Sequence, residues 1–257
     1  MLQIFCAAIN ETLQSHLEMI EKIKMMRSQL QKALSCDIFR LNCLESILHY
    51  ALEEYQADQP WGMPPLYHDL DFRYTLRIAF WPGFYETPPH CHKTWSITGV
   101  FHNQLDFFTY DLLENPKRLK QDRAICGTVG EVGYLIPGCI HNVRNPSHAF
   151  SASIHILHHL SDHADPRENV EWYFPPQKYD LKQGLRERIL ITALEILKNI
   201  YNEKSFQLLH YLNQHAPRSI RWMTLPLLQQ FNLSETRACF DSLISTEKEL
   251  YDDISCA

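Results

Sequence analysis

Three histidines carry the chemistry open to this chain. His90 and His92 are two residues apart, and on a β-strand that spacing puts both imidazoles on one face. His141 follows the turn residues Pro137 and Gly138 and leads into an apolar, β-branched run. Imidazoles from two strands can meet on one metal ion inside a small barrel and leave coordination positions open for chemistry. With 14 histidines in 257 residues, one pair at this spacing arises by chance, so the argument needs both stretches together. The competing reading of any single one is a hydrogen-bonded core histidine. Neutral imidazoles suit Fe(II), Zn and Ni alike, so ligand type alone leaves the metal open.

The elements that must position these residues follow from periodicity. Leu13, Leu17, Ile20, Ile23, Leu30 and Leu34 recur at helical spacing, which predicts one long amphipathic helix over 10–35 with Asn10 as its N-cap. A second helix is expected over 37–55, and the Pro- and Gly-rich stretch 59–65 stops it. From 67 to 173 the pattern turns to short β-prone runs at 73–81, 95–102, 105–110, 123–129, 132–137, 141–144 and 151–157, with a loop at 111–118. Strands this short, broken by turn residues, predict a jelly-roll barrel, the double-stranded β-helix. After Pro175 and Pro176 helices return at 185–201 and 206–215. The stretch 225–245 looks loosely like a helix-turn-helix; its spacer is only weakly basic, so packing or dimerisation is the favoured role. The expected division is a helical extension over 1–62, a barrel with the metal site over 63–176 and a helical region over 177–257.

Composition bounds the function. A formal charge of −6 argues against general nucleic-acid or anionic-membrane binding. No apolar run reaches the ~18 residues that span a bilayer, and the first residues lack the basic start of a secretory signal. Eight cysteines without a CxxC read as reduced thiols of a cytoplasmic protein.

The two histidine stretches resemble the paired signatures of the cupin superfamily. Gly83, His90, His92 and Gly99 match the first, with Ser96 and Ile97 where its carboxylate stands; Gly130, Pro137, Gly138, His141 and Asn145 match the second. The resemblance implies a barrel whose ligand set is His90, His92 and His141 without a carboxylate. That departure marks the thiol dioxygenases, the cysteine dioxygenase and mercaptopropionate dioxygenase group. Trp81, Pro82 and Gly83, the strand from Thr94 to Val100, and Ser153 with His155 resemble that group over roughly residues 63–175.

This resemblance implies Fe(II), with O2 and a small thiol carboxylate as substrates and a sulfinate as product. It implies outer-sphere roles for Ser153 and His155, and an arginine gripping the carboxylate. Arg167 falls near the offset of the mercaptopropionate branch, with Arg73 and Arg77 as alternatives, although Arg77 alternates with Leu76 and Ile78 and is expected to point outward. Trp95 is a further substrate-side candidate, and Tyr134 or His159 could replace the missing relay tyrosine. The cross-link positions of cysteine dioxygenase read as Ile97 and Leu157, so no thioether is expected. Cys91, between two ligands, should point away from the metal, and Cys139 should fill a gap. Two rivals stay open: a cupin enzyme using another metal on another small molecule, and a metal-binding sensor signalling through the C-terminal helices. The helical extensions also offer a surface for homo-oligomer contact.

Overall fold

The computed structural model describes residues 1–54, 65–113, 118–160, 169–174, 184–231, 237–239, 241, 242 and 244. Among the described residues ten strands form two five-stranded sheets. They are β1 (Pro65–Asp69), β2 (Tyr74–Trp81), β3 (His90–His92), β4 (Ser96–His102), β5 (Gln104–Leu112), β6 (Leu119–Thr128), β7 (Val132–Leu135), β8 (Ile140–Arg144), β9 (Ser151–His158) and β10 (Val170–Trp172). Sheet A has the order β1-β2-β9-β4-β7 and sheet B the order β10-β3-β8-β5-β6. The antiparallel pairs nest: β5 with β6, β4 with β7, β3 with β8, β2 with β9. One long hairpin wound on itself gives this nesting, with successive pairs going to opposite sheets. It is the jelly-roll barrel that the sequence predicts.

Strand alternation separates the two faces of sheet A. Leu76, Ile78, Ile97, Ile154 and Ile156 are wholly buried against helices. On the opposite face Ala79, Trp81 and Val100 meet Leu105 and Val143 of sheet B in a small core inside the barrel. The helices are α1 (Leu2–Gln14), α2 (Met19–Leu34), α3 (Asp37–His49) with a π-helical turn over Tyr50–Glu54, α4 (Leu185–Leu197), α5 (Glu203–His215) and α6 (Arg218–Leu228). α2 packs on β4 and β7, α4 packs on β2, and α3 packs on both α4 and α5. The two ends of the chain therefore build one helical layer on sheet A. The expected boundaries at 62/63 and 176/177 lie outside the described residues.

The single helix expected over 10–35 is two. Ser15 leaves α1 with extended backbone, and its hydroxyl returns to the Thr12 carbonyl. The Lys22 ammonium takes the Leu13 carbonyl, satisfying a helix-end acceptor after the chain reverses. Asn10 is no cap: its amide donates to Asp69 Oδ2 at 2.8 Å and its oxygen accepts from the Tyr74 hydroxyl at 2.8 Å, tying α1 to β1 and β2. α6 begins at Arg218, so the weakly basic spacer is itself helical, and residues 232–236 of the expected helix pair lie outside the described residues. Strand β5 runs on through Asp111 and Leu112, where a loop was expected. Among the described residues no helix is long and apolar enough to cross a membrane.

Candidate metal centre and its cavity

The sequence His-Cys-His is short enough to be a three-residue strand, and its register does the positioning. His90 pairs directly with His141 across β3 and β8, so both side chains leave sheet B on the same side. His92, two residues on, shares that face. Their nearest ring nitrogens all lie within 4.8 Å of one another. Cys91 points to the other face, where its sulfur is 3.9 Å from the Tyr173 hydroxyl.

Two backbone carbonyls fix the tautomers. His90 Nδ1 donates to the Pro88 carbonyl at 2.9 Å, and His141 Nδ1 donates to the Cys139 carbonyl at 3.1 Å. Each bond puts the proton on Nδ1 and leaves the Nε2 lone pair for an ion. Pro88 and Cys139 stand two residues before their histidines, so the turns themselves supply the acceptors. Cys139 thus serves the site through its carbonyl, while burial pushes its thiol up.

Electrostatics suit metal binding. Burial, then the neighbouring His90 and His155, hold His92 down at about 3. Burial followed by the other two histidines holds His141 well below its ordinary value, and burial lowers His90. At neutral pH all three are uncharged, so no proton competes with a cation for their lone pairs. Three imidazole nitrogens grouped this closely would be the donors for one divalent ion. The residues present therefore fit a three-histidine metal centre.

On the facing wall, Ser96 and Thr98 of β4 and Ser153, His155 and Leu157 of β9 line the same cavity of about 1160 Å³ or follow the lining face. Trp81 Nε1 donates to Ser153 Oγ at 2.7 Å, Ser153 Oγ is 2.7 Å from His155 Nε2, and His155 Nδ1 is 3.0 Å from Thr98 Oγ1. Burial lowers His155 to about 4, so it is neutral too. The sequence reading named Ser153 and His155 but missed Trp81 and Thr98 as their partners. Thr98 was findable, because it lies two residues beyond Ser96 on the same strand face.

The structure corrects the reading at several positions. Of the two residues at the missing-carboxylate position, Ser96 faces the cavity wall, whereas Ile97 packs into the helix-side core. Ser96, not Ile97, is the register partner of Leu157. Tyr134 pairs with Ile97, packs against the helix-side core and also lines the cavity. Trp95 is buried at the cavity edge with its ring stacked on His158 at 5.2 Å. Arg73 sits in the turn before β2 with φ 52°, its carbonyl accepting from His159 N at 2.7 Å, and does not line the cavity. Arg77 pairs with His155 in register and so lies on the barrel side of sheet A, not outward; its Nε donates to Thr75 Oγ1 at 3.3 Å. His159 is held between Thr75 Oγ1 at 2.8 Å and Asn169 at 3.2 Å, which leaves neither ring nitrogen for a substrate. Arg167 lies outside the described residues.

No model of a protein family matches the chain, and no curated protein matches it. Solved structures with some likeness include the following three. One is an oxalate oxidase in complex with the substrate analogue glycolate, at 15% identity over 46% of this chain and 58% of that one, with a TM-score of 0.33. Another is a cupin-2 domain containing protein from Shewanella frigidimarina, at 16% identity over 40% and 84%, with a TM-score of 0.30. A third is hydroquinone 1,2-dioxygenase from Sphingomonas with 4-hydroxybenzoate bound, at 11% identity over 43% and 74%, with a TM-score of 0.33. The chain thus spans 58% of the oxalate oxidase. The barrel's assignment stands on its own nested strand pairing.

Proposed function

We propose that the barrel is a non-haem Fe(II) thiol dioxygenase acting on a small thiol carboxylate. The observation that supports this most is the donor set: three neutral imidazoles, with Ser96 in place of a carboxylate on the cavity wall. Three uncharged ligands leave the ion its full charge and open positions, which favours an anionic sulfur donor. Iron, when bound, supplies the redox chemistry that joins O2 to sulfur. The overall change is RSH + O2 → RSO2H: both oxygen atoms go to sulfur, which loses the four electrons that O2 gains.

The chain's own residues do the rest. Carbonyls of Pro88 and Cys139 keep His90 and His141 aimed inward. Trp81, Ser153 and Thr98 engage both ring nitrogens of His155 and hold it still beside the triad, so this chain fixes the polar wall that faces the metal ligands. Val100, Val143, Phe107 and Leu157 make an apolar wall that limits water and strengthens polar contacts inside. Oxygen uptake by Fe(II)-loaded protein with 3-mercaptopropionate and with cysteine tests the proposal. The expected result is one sulfinate per O2 consumed, with 3-mercaptopropionate turned over faster than cysteine.

One observation favours a second reading. Leu157 puts an apolar side chain where a proton-bearing group would assist oxygenation, and Arg27 and Gln31 of α2 connect the cavity to the helical layer. A metal-binding sensor would have this construction. Tight thiol binding with no oxygen uptake by any thiol would select it.

A further inference from the structure

If the substrate is a thiol carboxylate, as proposed above, its carboxylate needs a cation on the cavity wall. Arg73 and Arg77 do not line the cavity. We infer that Arg123, on β6, is the residue that grips the carboxylate. The inference starts from register. Trp172 pairs with His90, His90 with His141, His141 with Thr109, and Thr109 with Arg123. Cross-strand partners project to the same side, so these five side chains form one row across sheet B. Arg123 lines the same cavity as the triad and stands at its open side, with its side chain 74% exposed.

Distance and geometry agree with the role. Two strand spacings, about 10 Å, separate the Arg123 and His141 backbones. A substrate with its sulfur over the triad and its carboxylate three bonds further on crosses part of that span, and the long arginine side chain can reach back to close the rest with a charge-assisted hydrogen bond of about 2.8 Å. The strand is built to present this arginine. Register shifts between Thr109 and Tyr110, where Asp122 is the extra residue of a β-bulge, a device that re-aims side chains beside sites. Asp122 Oδ2 forms an ion pair with Arg123 Nε and accepts from Thr109 Oγ1, both at 3.3 Å. That pairing steadies the guanidinium at Nε and leaves the two Nη groups, which grip carboxylates in a planar fork, without a partner among the described residues.

Bulk charge does not explain an anion here, since Asp111, Asp122 and Glu131 also line the cavity. Glu131 is tied to the Thr128 amide and hydroxyl. The other described lining arginine, Arg27, comes from α2 and donates its Nε to the Val132 carbonyl at 2.8 Å. It is the natural control.

Cobalt-loaded protein reports binding without turnover, through the absorption of a cobalt-bound thiolate. Titration with 3-mercaptopropionate and with ethanethiol gives the affinity ratio that the carboxylate contributes. The expected wild-type ratio is roughly 10- to 100-fold in favour of the acid, the worth of a charge-assisted pair. Arg123→Gln should bring that ratio close to one, Arg123→Lys should restore part of it, and Arg27→Gln should keep it. Equal wild-type affinities, or an unchanged ratio in Arg123→Gln while both thiols still bind, would overturn the inference and leave the thiol reading standing. Failure of both thiols to bind the wild-type protein overturns the inference and the thiol reading together.

Discussion

The two sheets of the barrel share one pairing scheme and differ in what covers them. Sheet A is sandwiched, so β2 and β9 are buried along almost their whole length. Sheet B is covered less evenly, and β6, at one of its edges, is exposed at eight of its ten positions. Work is divided along the same line. Sheet B carries the three metal-ligating candidates and Arg123, whereas sheet A carries the Trp81–Ser153–His155–Thr98 chain. The helix-covered sheet supplies stability and holds a polar chain still, while the uncovered sheet keeps an opening for ligands. Stability and access are thus assigned to different walls of one cavity.

The sharpest way to break this comparison is to remove the same volume from each sheet. Ile154 is fully buried between β9 and the helices, and Ile154→Ala should cost about 2–5 kcal/mol. Ile125 on β6 is 55% exposed, and Ile125→Ala should stay within about 0.5 kcal/mol. Urea denaturation of the metal-free variants measures both, and equal losses would show that sheet B is load-sharing after all.

Acid should act through sheet A's buried imidazoles. His159 is lowered to about 4, chiefly by burial and then by Arg77, His68 and His158. A histidine whose folded pKa is depressed gains its proton more readily when unfolded, so stability is full above about 6.5 and falls as pH drops from there toward 4. His159→Gln should therefore spare the metal-free protein about 1 kcal/mol of that acid loss, discounted for solvent screening. This appears as a melting-temperature difference of about 2–4 °C between pH 7 and pH 4.5. A variant with an unchanged acid slope would contradict it.

The smallest effect is expected on the water-facing side of sheet B. Arg144 pairs with Asp106 at 2.7 Å and lies over the Phe108 ring at 5.0 Å, with the arginine 44% exposed. Screening limits such pairs, so Arg144→Ala should cost about 0.2–1 kcal/mol and fade at high salt. A loss above 2 kcal/mol would mean that the outer face of sheet B bears more of the fold than its exposure suggests.

What the sequence made legible follows the same division. Turn residues and alternation announced the strands, because Pro and Gly act locally and the β-period is short. The His90, His92 and His141 grouping was legible because each motif fixes its own strand face. Less local features were not. The break between α1 and α2 depends on the chain doubling back, which helical periodicity across Leu13, Leu17 and Ile20 does not register. Which of Ser96 and Ile97 faces the cavity depends on strand phase, and a one-residue change inverts it. Arg77 was misplaced for the same reason. Arg123 was invisible because its row is set by pairing across β8, β5 and β6, far apart in sequence.

The central claim is that His90, His92 and His141 together hold one metal ion that the cavity serves. Metal content per chain, measured in parallel on wild-type protein and on His141→Ala after equal iron loading and gel filtration, tests it most directly. The account predicts about one iron per wild-type chain and nearly none in His141→Ala, with both proteins folded by circular dichroism. Full iron occupancy in His141→Ala, or none in the wild-type protein with any divalent metal, would contradict it.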